Sequence, residues 1–304
     1  MKTKQKKARN NGSILKTQWS MLVMMLPFFT IFTVLMVLPI ISSIVLSFTS
    51  YDTINPLNFV GIDNYLRMFV SDDAFLIVLK NTLVLVLLTG PVGFILAFLL
   101  AWLVNEFTPR VRTIFSFMFY APSLAGNAFM VWKIIFSGDS YGYLNSFLLN
   151  LGLITEPITW LNASQYLMGI IVLVQLWQSM GISFLSNIAG LQNVSRDLYE
   201  AGAIDGIRNR WQELWYITMP SMKHMILFSV VMQIQSSFTI STITTELAGY
   251  PSTGYAVDTI VSHMTDVGSV RFEMGYASSI AVILFILMAG TRIILGKFLD
   301  MLGK

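Results

Sequence analysis

The sequence predicts an all-α membrane protein with six transmembrane helices. Three observations predict this fold class: an apolar composition, six apolar segments of membrane-spanning length, and an uneven distribution of Lys and Arg. Of the 304 residues, 55% are hydrophobic and only 12% are charged, and the mean hydropathy is +0.68. A soluble domain carries about a quarter charged residues, so we expect much of this surface to face lipid.

The N-terminal segment joins a basic stretch to an apolar run, as a signal peptide does. The apolar run, residues 21–48, is longer than the about 7–15 residues of a signal core, and no small-residue cleavage site follows it. We therefore expect residues 1–20 to form a basic cytoplasmic tail. The apolar run is expected to be retained as the first transmembrane helix.

The remaining spans follow from segment length, because a membrane-spanning helix needs about 20 mostly apolar residues. Six segments meet this requirement: 21–47, 75–104, 113–136, 166–191, 222–244 and 274–298. No segment between them is long enough for a core of its own, so residues 21–304 are predicted to form a single membrane domain.

The orientation of the spans follows from the basic residues, which concentrate on the cytoplasmic side of membrane proteins. With the N-terminus inside, 15 of the 19 Lys and Arg residues are cytoplasmic and 4 are outside. Both termini are therefore predicted to be cytoplasmic. The outer loops are acidic, which fits either contact with a partner protein or a solvated rim.

The fourth loop, residues 192–221, is longer and less polar than an ordinary connection between membrane helices. Ser195 is a suitable N-cap for a short helix that contains Glu200, and Gly206 can end that helix with a positive φ. A second short helix, residues 211–217, is predicted before Pro220. The loop is expected to form a helix–turn–helix at the cytoplasmic end of the bundle.

This loop resembles the EAA loop of ABC importer permeases of the carbohydrate-uptake group. The family pattern is Glu-Ala-Ala, a later Gly, and then Ile-x-Leu-Pro. The matching residues here are Glu200-Ala201-Gly202, Asp205-Gly206 and Ile217-Thr218-Met219-Pro220. The sequence departs from the pattern at Gly202 and Met219 and by one extra residue between Gly206 and Ile217. The N-terminal part of the second span and the start of the last span also resemble sugar permeases.

The resemblance implies that the loop docks a separate ATPase subunit. The residues implied in docking are Glu200, Ala201, Gly202, Asp205, Gly206 and Pro220. It also implies a second, homologous permease subunit, two ATPase subunits that hold the ATP and Mg, and an extracytoplasmic substrate-binding protein. The location implied is a bacterial or archaeal cell membrane, and neither a cofactor in this chain nor a nucleic-acid partner is expected.

Polar side chains form a stripe along each of the two spans that flank the docking loop. The stripe on the fourth span contains Gln175, Gln178, Ser179, Ser183 and Ser186, and the stripe on the fifth contains Gln233, Ser236, Ser237, Ser241 and Thr244. Polar residues inside a bilayer usually face a bundle interior or a wet cavity. Uncharged amides and hydroxyls suit a sugar, on which Trp177, Phe238 or Tyr120 could stack.

The resemblance to the maltose-permease type places six positions along the sugar site: Gln175, Gln178, Ser179, Ile182, Gln233 and Ser237. Hydrogen bonds between helices are the alternative role for these side chains. Another polyhydroxyl solute, such as a glycerol phosphodiester or a polyol, is the alternative substrate.

Two other classes of function are disfavoured by what the sequence lacks. The segment 290–297 has glycine spacing that does not match a phosphate-binding loop, so ATP hydrolysis is expected on separate subunits. The histidines, His224 and His263, lie on opposite sides of the predicted membrane, which disfavours a metal site or a membrane-embedded enzyme. No carboxylate lies near the middle of a span, which disfavours a self-sufficient secondary transporter.

Overall fold

The computed structural model describes Trp19 and residues 21–302, which form helices joined by loops. The β pairing within these described residues is one isolated bridge, between Thr49 and Phe59. The predicted all-α architecture is thus confirmed for this part of the chain. The predicted basic tail, residues 1–20, lies outside the described residues except for Trp19.

The helices differ widely in length. In chain order they are α1 (Met21–Leu46), α2 (Asp63–Leu66), α3 (Asp73–Asn105), α4 (Pro109–Leu124), α5 (Met130–Ile135), α6 (Tyr143–Asn150), α7 (Ser164–Gln192), α8 (Arg196–Ile204), α9 (Arg210–Glu213), α10 (Lys223–Phe238), α11 (Thr242–Ala248), α12 (Ile260–Thr265) and α13 (Met274–Leu302).

Five segments of the described chain are long and apolar enough to cross a membrane. They are α1, α3, α7, the segment Lys223–Ala248 that comprises α10 and α11, and the segment Met274–Lys297 of α13. These five coincide with five of the six predicted spans. The chain therefore has the helices of a multi-pass membrane protein.

The predicted third span, residues 113–136, is divided between α4 and α5. The 16 residues of α4 rise about 24 Å, which is less than the about 30 Å of a hydrocarbon core. Pro122 lies inside α4, and Ala125 beyond its end is extended. Proline removes a helical hydrogen bond, which favours a break here. The prediction of six spans accordingly stays a prediction.

The centre of the fold is a bundle of α3, α7 and α10, with α4 packed on α7 and α13 packed on α10. Glycines set the closest approaches. A Cβ added to Gly93 of α3 would lie 2.2 Å from Gln233 Nε2 of α10, and one added to Gly181 of α7 would lie 1.9 Å from Ser123 Oγ of α4. Small residues allow membrane helices to approach closely. Gly93 therefore leaves room for the Gln233 side chain, and Gly181 allows α7 to lie close to α4.

The helix α1 packs on α13 at the edge of the bundle. None of its most apolar 18-residue window is buried within the chain. In the absence of water, all backbone hydrogen bonds of a spanning helix are made within the helix. The exposed apolar side chains of α1 are therefore suited to lipid.

A buried polar cluster holds the last loop, between α11 and α13, against the start of α3. Asp72, the N-cap of α3, accepts hydrogen bonds from Phe75 N–H at 3.0 Å and from the Tyr276 hydroxyl at 2.6 Å. His263 Nε2 lies 2.9 Å from the same carboxylate. Burial by itself raises the pKa of Asp72, but the hydrogen bonds from Tyr276 and His263 outweigh it and hold the pKa below its usual 3.8.

Replacing Asp72 with Asn is expected to lower the free energy of unfolding by about 1–3 kcal/mol, because hydrogen bonds to a charged acceptor are lost. A depressed pKa stabilises the fold above the unfolded pKa, and that stability disappears as pH falls through the folded pKa. The wild-type melting temperature should therefore fall on acidification below about pH 4, and the variant should lack this component. Burial raises the pKa of Asp258. The effect of Asp258 on the pH dependence of stability is the same in the wild type and in Asp72→Asn.

The control for this measurement is Asp73→Asn, which changes the adjacent, exposed carboxylate. Its melting temperature should change less than that of Asp72→Asn, because it keeps the buried hydrogen bonds of Asp72. Equal losses of stability in the two variants would contradict a specific role for Asp72.

Candidate functional site: a polar cavity and a docking loop

The two polar stripes predicted from the sequence face each other across α7 and α10. Gln233 Nε2 donates to Ser179 Oγ at 2.7 Å, and the hydroxyls of Ser183 and Ser229 lie 2.5 Å apart. Gln175 Nε2 lies 3.3 Å from the carbonyl oxygen of Ser236. Part of each stripe therefore stabilises the contact between helices, as the alternative interpretation expected.

A cavity of about 320 Å³ lies beside these contacts. Five of the six positions assigned to the substrate path line it: Gln175, Gln178, Ser179, Ile182 and Gln233. The sixth, Ser237, is fully buried, and its Oγ lies 2.7 Å from Thr89 Oγ1 of α3. The structure thus brings most of the predicted path together and places Ser237 at a helix contact.

The chemistry of this cavity is polar and uncharged. Among the described residues, no Asp, Glu, Lys, Arg or His lines it. Gln178 Oε1 and Gln233 Oε1 are buried, and neither has a hydrogen-bond partner within the described chain. An unsatisfied buried acceptor costs about 1–3 kcal/mol, so a ligand that donates hydroxyl groups would relieve that cost.

One wall of the cavity comes from the end of α4 and the segment between α4 and α5, which sequence reasoning did not assign to the path. Ser123, Gly126 and Phe129 lie on this wall. The aromatic rings suggested from the sequence lie elsewhere: Trp177 packs against Trp132 at 5.7 Å between ring centroids, and Phe238 is 2% exposed in the core. Phe129 is thus the ring on the cavity wall, and the break near Pro122 is the sequence signal for this wall.

A second, apolar cavity of about 470 Å³ adjoins the polar one at Ile182. Tyr120, Met225 and Phe228 contribute to its lining. Ile182 lines both cavities, so it lies at the boundary between a polar chamber and an apolar one.

The candidate docking loop, residues 192–221, has the predicted helix–turn–helix form. Ser195 caps α8 by accepting from Asp197 N–H at 3.3 Å, which confirms the predicted N-cap. Gly206 has a φ of +94°, as expected for the residue that ends the helix. Glu200, Ala201 and Asp205 are exposed, which leaves this surface available to a partner.

The second half of the loop differs in extent from the prediction. Helical structure begins at α9, whose cap Asn209 accepts from Gln212 N–H at 2.8 Å. It then continues through a π-helical segment, Leu214–Thr218, to Ser221. The exposed Pro220 follows the π-helical segment, and it has no N–H with which to continue the helical hydrogen bonding.

The departure from the family pattern at Gly202 has a steric reason. Gly202 is buried, and a Cβ there would lie 2.6 Å from Ile217 Cδ1 and 3.1 Å from Ile207 Cδ1. The side chains of Ile207 and Ile217 thus occupy the space that an alanine methyl would need. An alanine at this position would need the ends of these two side chains to shift.

The docking loop is also attached to α3. Arg210 donates to Glu106 beyond the end of α3, at 2.6 Å from Oε2, and Trp211 packs on Trp102 with ring centroids 5.2 Å apart. Exposed ion pairs contribute little, so the aromatic contact is the more stabilising of the two. Movement of the loop is thereby linked to a helix that packs against α7 and α10, which line the polar cavity.

Comparison with known proteins identifies relatives that extend over most of the chain. Residues 90–300 match the family model "Binding-protein-dependent transport system inner membrane component". The probable ABC transporter permease protein YesP of Bacillus subtilis (strain 168) is 32% identical over 277 residues, covering 89% of this chain and 87% of YesP. The arabinooligosaccharides transport system permease protein AraP of the same organism is 32% identical, covering 86% of this chain and 82% of AraP.

A solved structure shares the fold. It is the bacterial alginate ABC transporter in complex with an alginate pentasaccharide-bound periplasmic protein, one chain of which matches with a TM-score of 0.79 at 20% identity, over 96% of this chain and 98% of that chain. The family expected from the docking loop is confirmed by the family model and by the two permeases. The chain belongs to the binding-protein-dependent transport system inner membrane components, the permeases of ABC transporters.

Proposed function

We propose that this permease imports a neutral oligosaccharide or a smaller neutral sugar. The observation that carries the proposal is the uncharged cavity with two unpartnered amide oxygens, Gln178 Oε1 and Gln233 Oε1. These atoms accept hydrogen bonds, which sugar hydroxyls donate and carboxylates do not. Phe129 adds an apolar surface to the same wall. The relative AraP is named for arabinooligosaccharide transport.

The proposed assembly contains this chain, a second homologous permease and two ATPase subunits that hold the ATP and Mg. An extracytoplasmic binding protein delivers the sugar. The alginate transporter supports this last partner, because its structure contains a periplasmic protein. ATP binding closes the ATPases, draws the docking loops together and opens the cavity outward; hydrolysis returns it to the inward-facing state.

The proposed topology has six spans, with α4 and α5 together forming the third. Both termini are cytoplasmic, because this orientation places 15 of the 19 Lys and Arg residues inside. Residues 1–20 form a cytoplasmic tail, and residues 21–304 form one permease domain. In this arrangement the docking loop, residues 192–221, faces the ATPases, and Glu200, Ala201, Gly202, Asp205, Gly206 and Pro220 form the docking region.

The proposal is tested by reconstituting the complete transporter with its binding protein in lipid vesicles. A neutral oligosaccharide should stimulate ATP hydrolysis and uptake only when the binding protein is present. Stimulation by free sugar alone would contradict the proposal. Identifying the glycan that copurifies with the binding protein would then name the substrate.

Replacing Gln178 with Ala in this assay is expected to reduce uptake by about 2- to 10-fold, the equivalent of one lost hydrogen bond. The matched control is Gln235→Ala. Gln235 is on α10 but lies on the side that faces α13, where it lines a small gap with Phe238, Met288 and Arg292. An equal loss of uptake in both variants would count against a substrate contact at Gln178.

A further inference from the structure

A third cavity, of about 630 Å³, lies between the docking loop and the adjacent ends of α3, α4 and α7. It is larger than the cavity assigned to the substrate. Its charged lining residues are Glu106, Arg112, Arg196, Arg210 and Glu213. On the proposed topology this cavity is on the cytoplasmic side, at the ends of α3, α4 and α7.

Some of the charged side chains in this cavity form ion pairs and others do not. Arg210 lies 2.6 Å from Glu106 Oε2 and 2.8 Å from Glu213 Oε2, so both carboxylates share one guanidinium. Arg112 and Arg196 have no ion pair with any described residue. Arg112 donates one hydrogen bond, from Nη2 to the Phe107 carbonyl oxygen at 3.2 Å. The cavity therefore has unpaired positive charge at Arg112 and Arg196.

Two buried polar atoms in the lining also lack partners. Arg112 Nε and Asn105 Oδ1 make no hydrogen bond within the described chain, although both atoms are shielded from solvent. The first is a donor and carries part of a positive charge, and the second is an acceptor. A ligand that satisfies both must present an anionic oxygen to Arg112 and a hydroxyl hydrogen to Asn105.

We propose that this cavity binds a phosphate ester that carries a free hydroxyl group. The phosphate would lie toward Arg112 and Arg196, since guanidinium groups form strong charge-assisted hydrogen bonds with phosphate oxygens. The hydroxyl would lie toward Asn105. Phosphatidylglycerol in the membrane and soluble glycerol phosphate share this chemistry.

Occupation of the site has a consequence for the docking loop. Arg196 is the first residue of α8, whereas Asn105 ends α3 and Arg112 belongs to the first turns of α4. A ligand that contacts all three ties the docking helix to two helices of the membrane bundle. The site does not depend on which solute the permease transports.

The experiment measures ligand retention by the purified full-length permease in nanodiscs. In the lipid arm, nanodiscs contain phosphatidylcholine with or without phosphatidylglycerol, and native mass spectrometry counts retained phosphatidylglycerol. In the soluble arm, glycerol 3-phosphate is added to phosphatidylcholine nanodiscs, and the melting temperature is recorded. The variants are Arg112→Gln and Arg196→Gln, with Arg110→Gln as the matched control, because Arg110 is exposed on α4 outside the cavity.

We expect the wild type and Arg110→Gln to retain the ligand equally, and each cavity variant to bind it about tenfold more weakly, as for a lost charge-assisted hydrogen bond. Retention in the lipid arm identifies a lipid headgroup, and stabilisation in the soluble arm identifies a free phosphate ester. The proposal is overturned if neither arm distinguishes the cavity variants from the wild type, or if Arg110→Gln loses as much binding. Arg196 is exposed, so its variant tests the site without disturbing the fold.

Discussion

Changing Glu200 to Lys is expected to reduce sugar-stimulated ATP hydrolysis and uptake by about 30-fold or more while the permease remains folded. Glu200 is exposed on α8, where Leu198 and Ile204 are 46% and 87% exposed. A surface that combines a charged side chain with exposed apolar side chains is typical of a protein–protein interface. Reversing a charge at an interface introduces repulsion and leaves a partner group unpaired. The measurement is ATP hydrolysis and uptake by the reconstituted transporter, together with its melting temperature.

The matched control for Glu200 is Glu156→Lys, which reverses an exposed charge in the loop between α6 and α7. This variant should lose less uptake than Glu200→Lys, because in the proposed topology its loop is on the face opposite the ATPases. Wild-type transport by the Glu200 variant would overturn the assignment of the docking surface. A lowered melting temperature would instead indicate that Glu200 stabilises the fold.

The polar stripes were predictable because amides and hydroxyls are conspicuous in apolar helices. Their spacing placed Gln175, Gln178 and Ser179 on one face of α7 and Gln233 on a matching face of α10, and the structure brings them to one cavity. The sequence pattern does not reveal which of them are already paired. Ser237 has the same spacing as its neighbours, but its hydroxyl contacts Thr89 of α3, a residue 148 positions away.

Other features depend on contacts that no local pattern encodes. The cluster of Asp72, His263 and Tyr276 joins residues 191 and 204 positions apart. The sequence shows Gly202 only as a departure from the family pattern, whereas the structure shows that the Ile217 side chain lies where an alanine methyl group would be. The division of the third span had a local signal in Pro122, but the apolar composition on both sides of it predicted one continuous helix. The cavity wall at Phe129 follows from that division.

The largest effect on the fold is expected from Gly181→Ala, which adds one methyl group where α7 crosses α4. Its Cβ would lie 1.9 Å from Ser123 Oγ, 2.7 Å from Ser123 Cβ and 2.8 Å from Tyr120 Cδ2. Ser123 is held in place by a 2.7 Å hydrogen bond to the Tyr120 carbonyl oxygen, so the methyl group must push α4 away from α7. Overpacking of this kind costs about 1–3 kcal/mol. Because Ser123 lines the polar cavity, sugar uptake should fall together with the melting temperature.

The control is Gly169→Ala, which is also on α7, because a Cβ added to Gly169 meets nothing within 4 Å. Gly169→Ala replaces a poor helix former with a good one, which favours the helix by about 1 kcal/mol. Its melting temperature should equal or exceed that of the wild type, and its uptake should be unchanged. A fall in both variants would show that α7 needs glycine for its own conformation. A fall in Gly181→Ala alone, with loss of uptake, would show that the separation of α4 and α7 sets the shape of the cavity that the sugar enters.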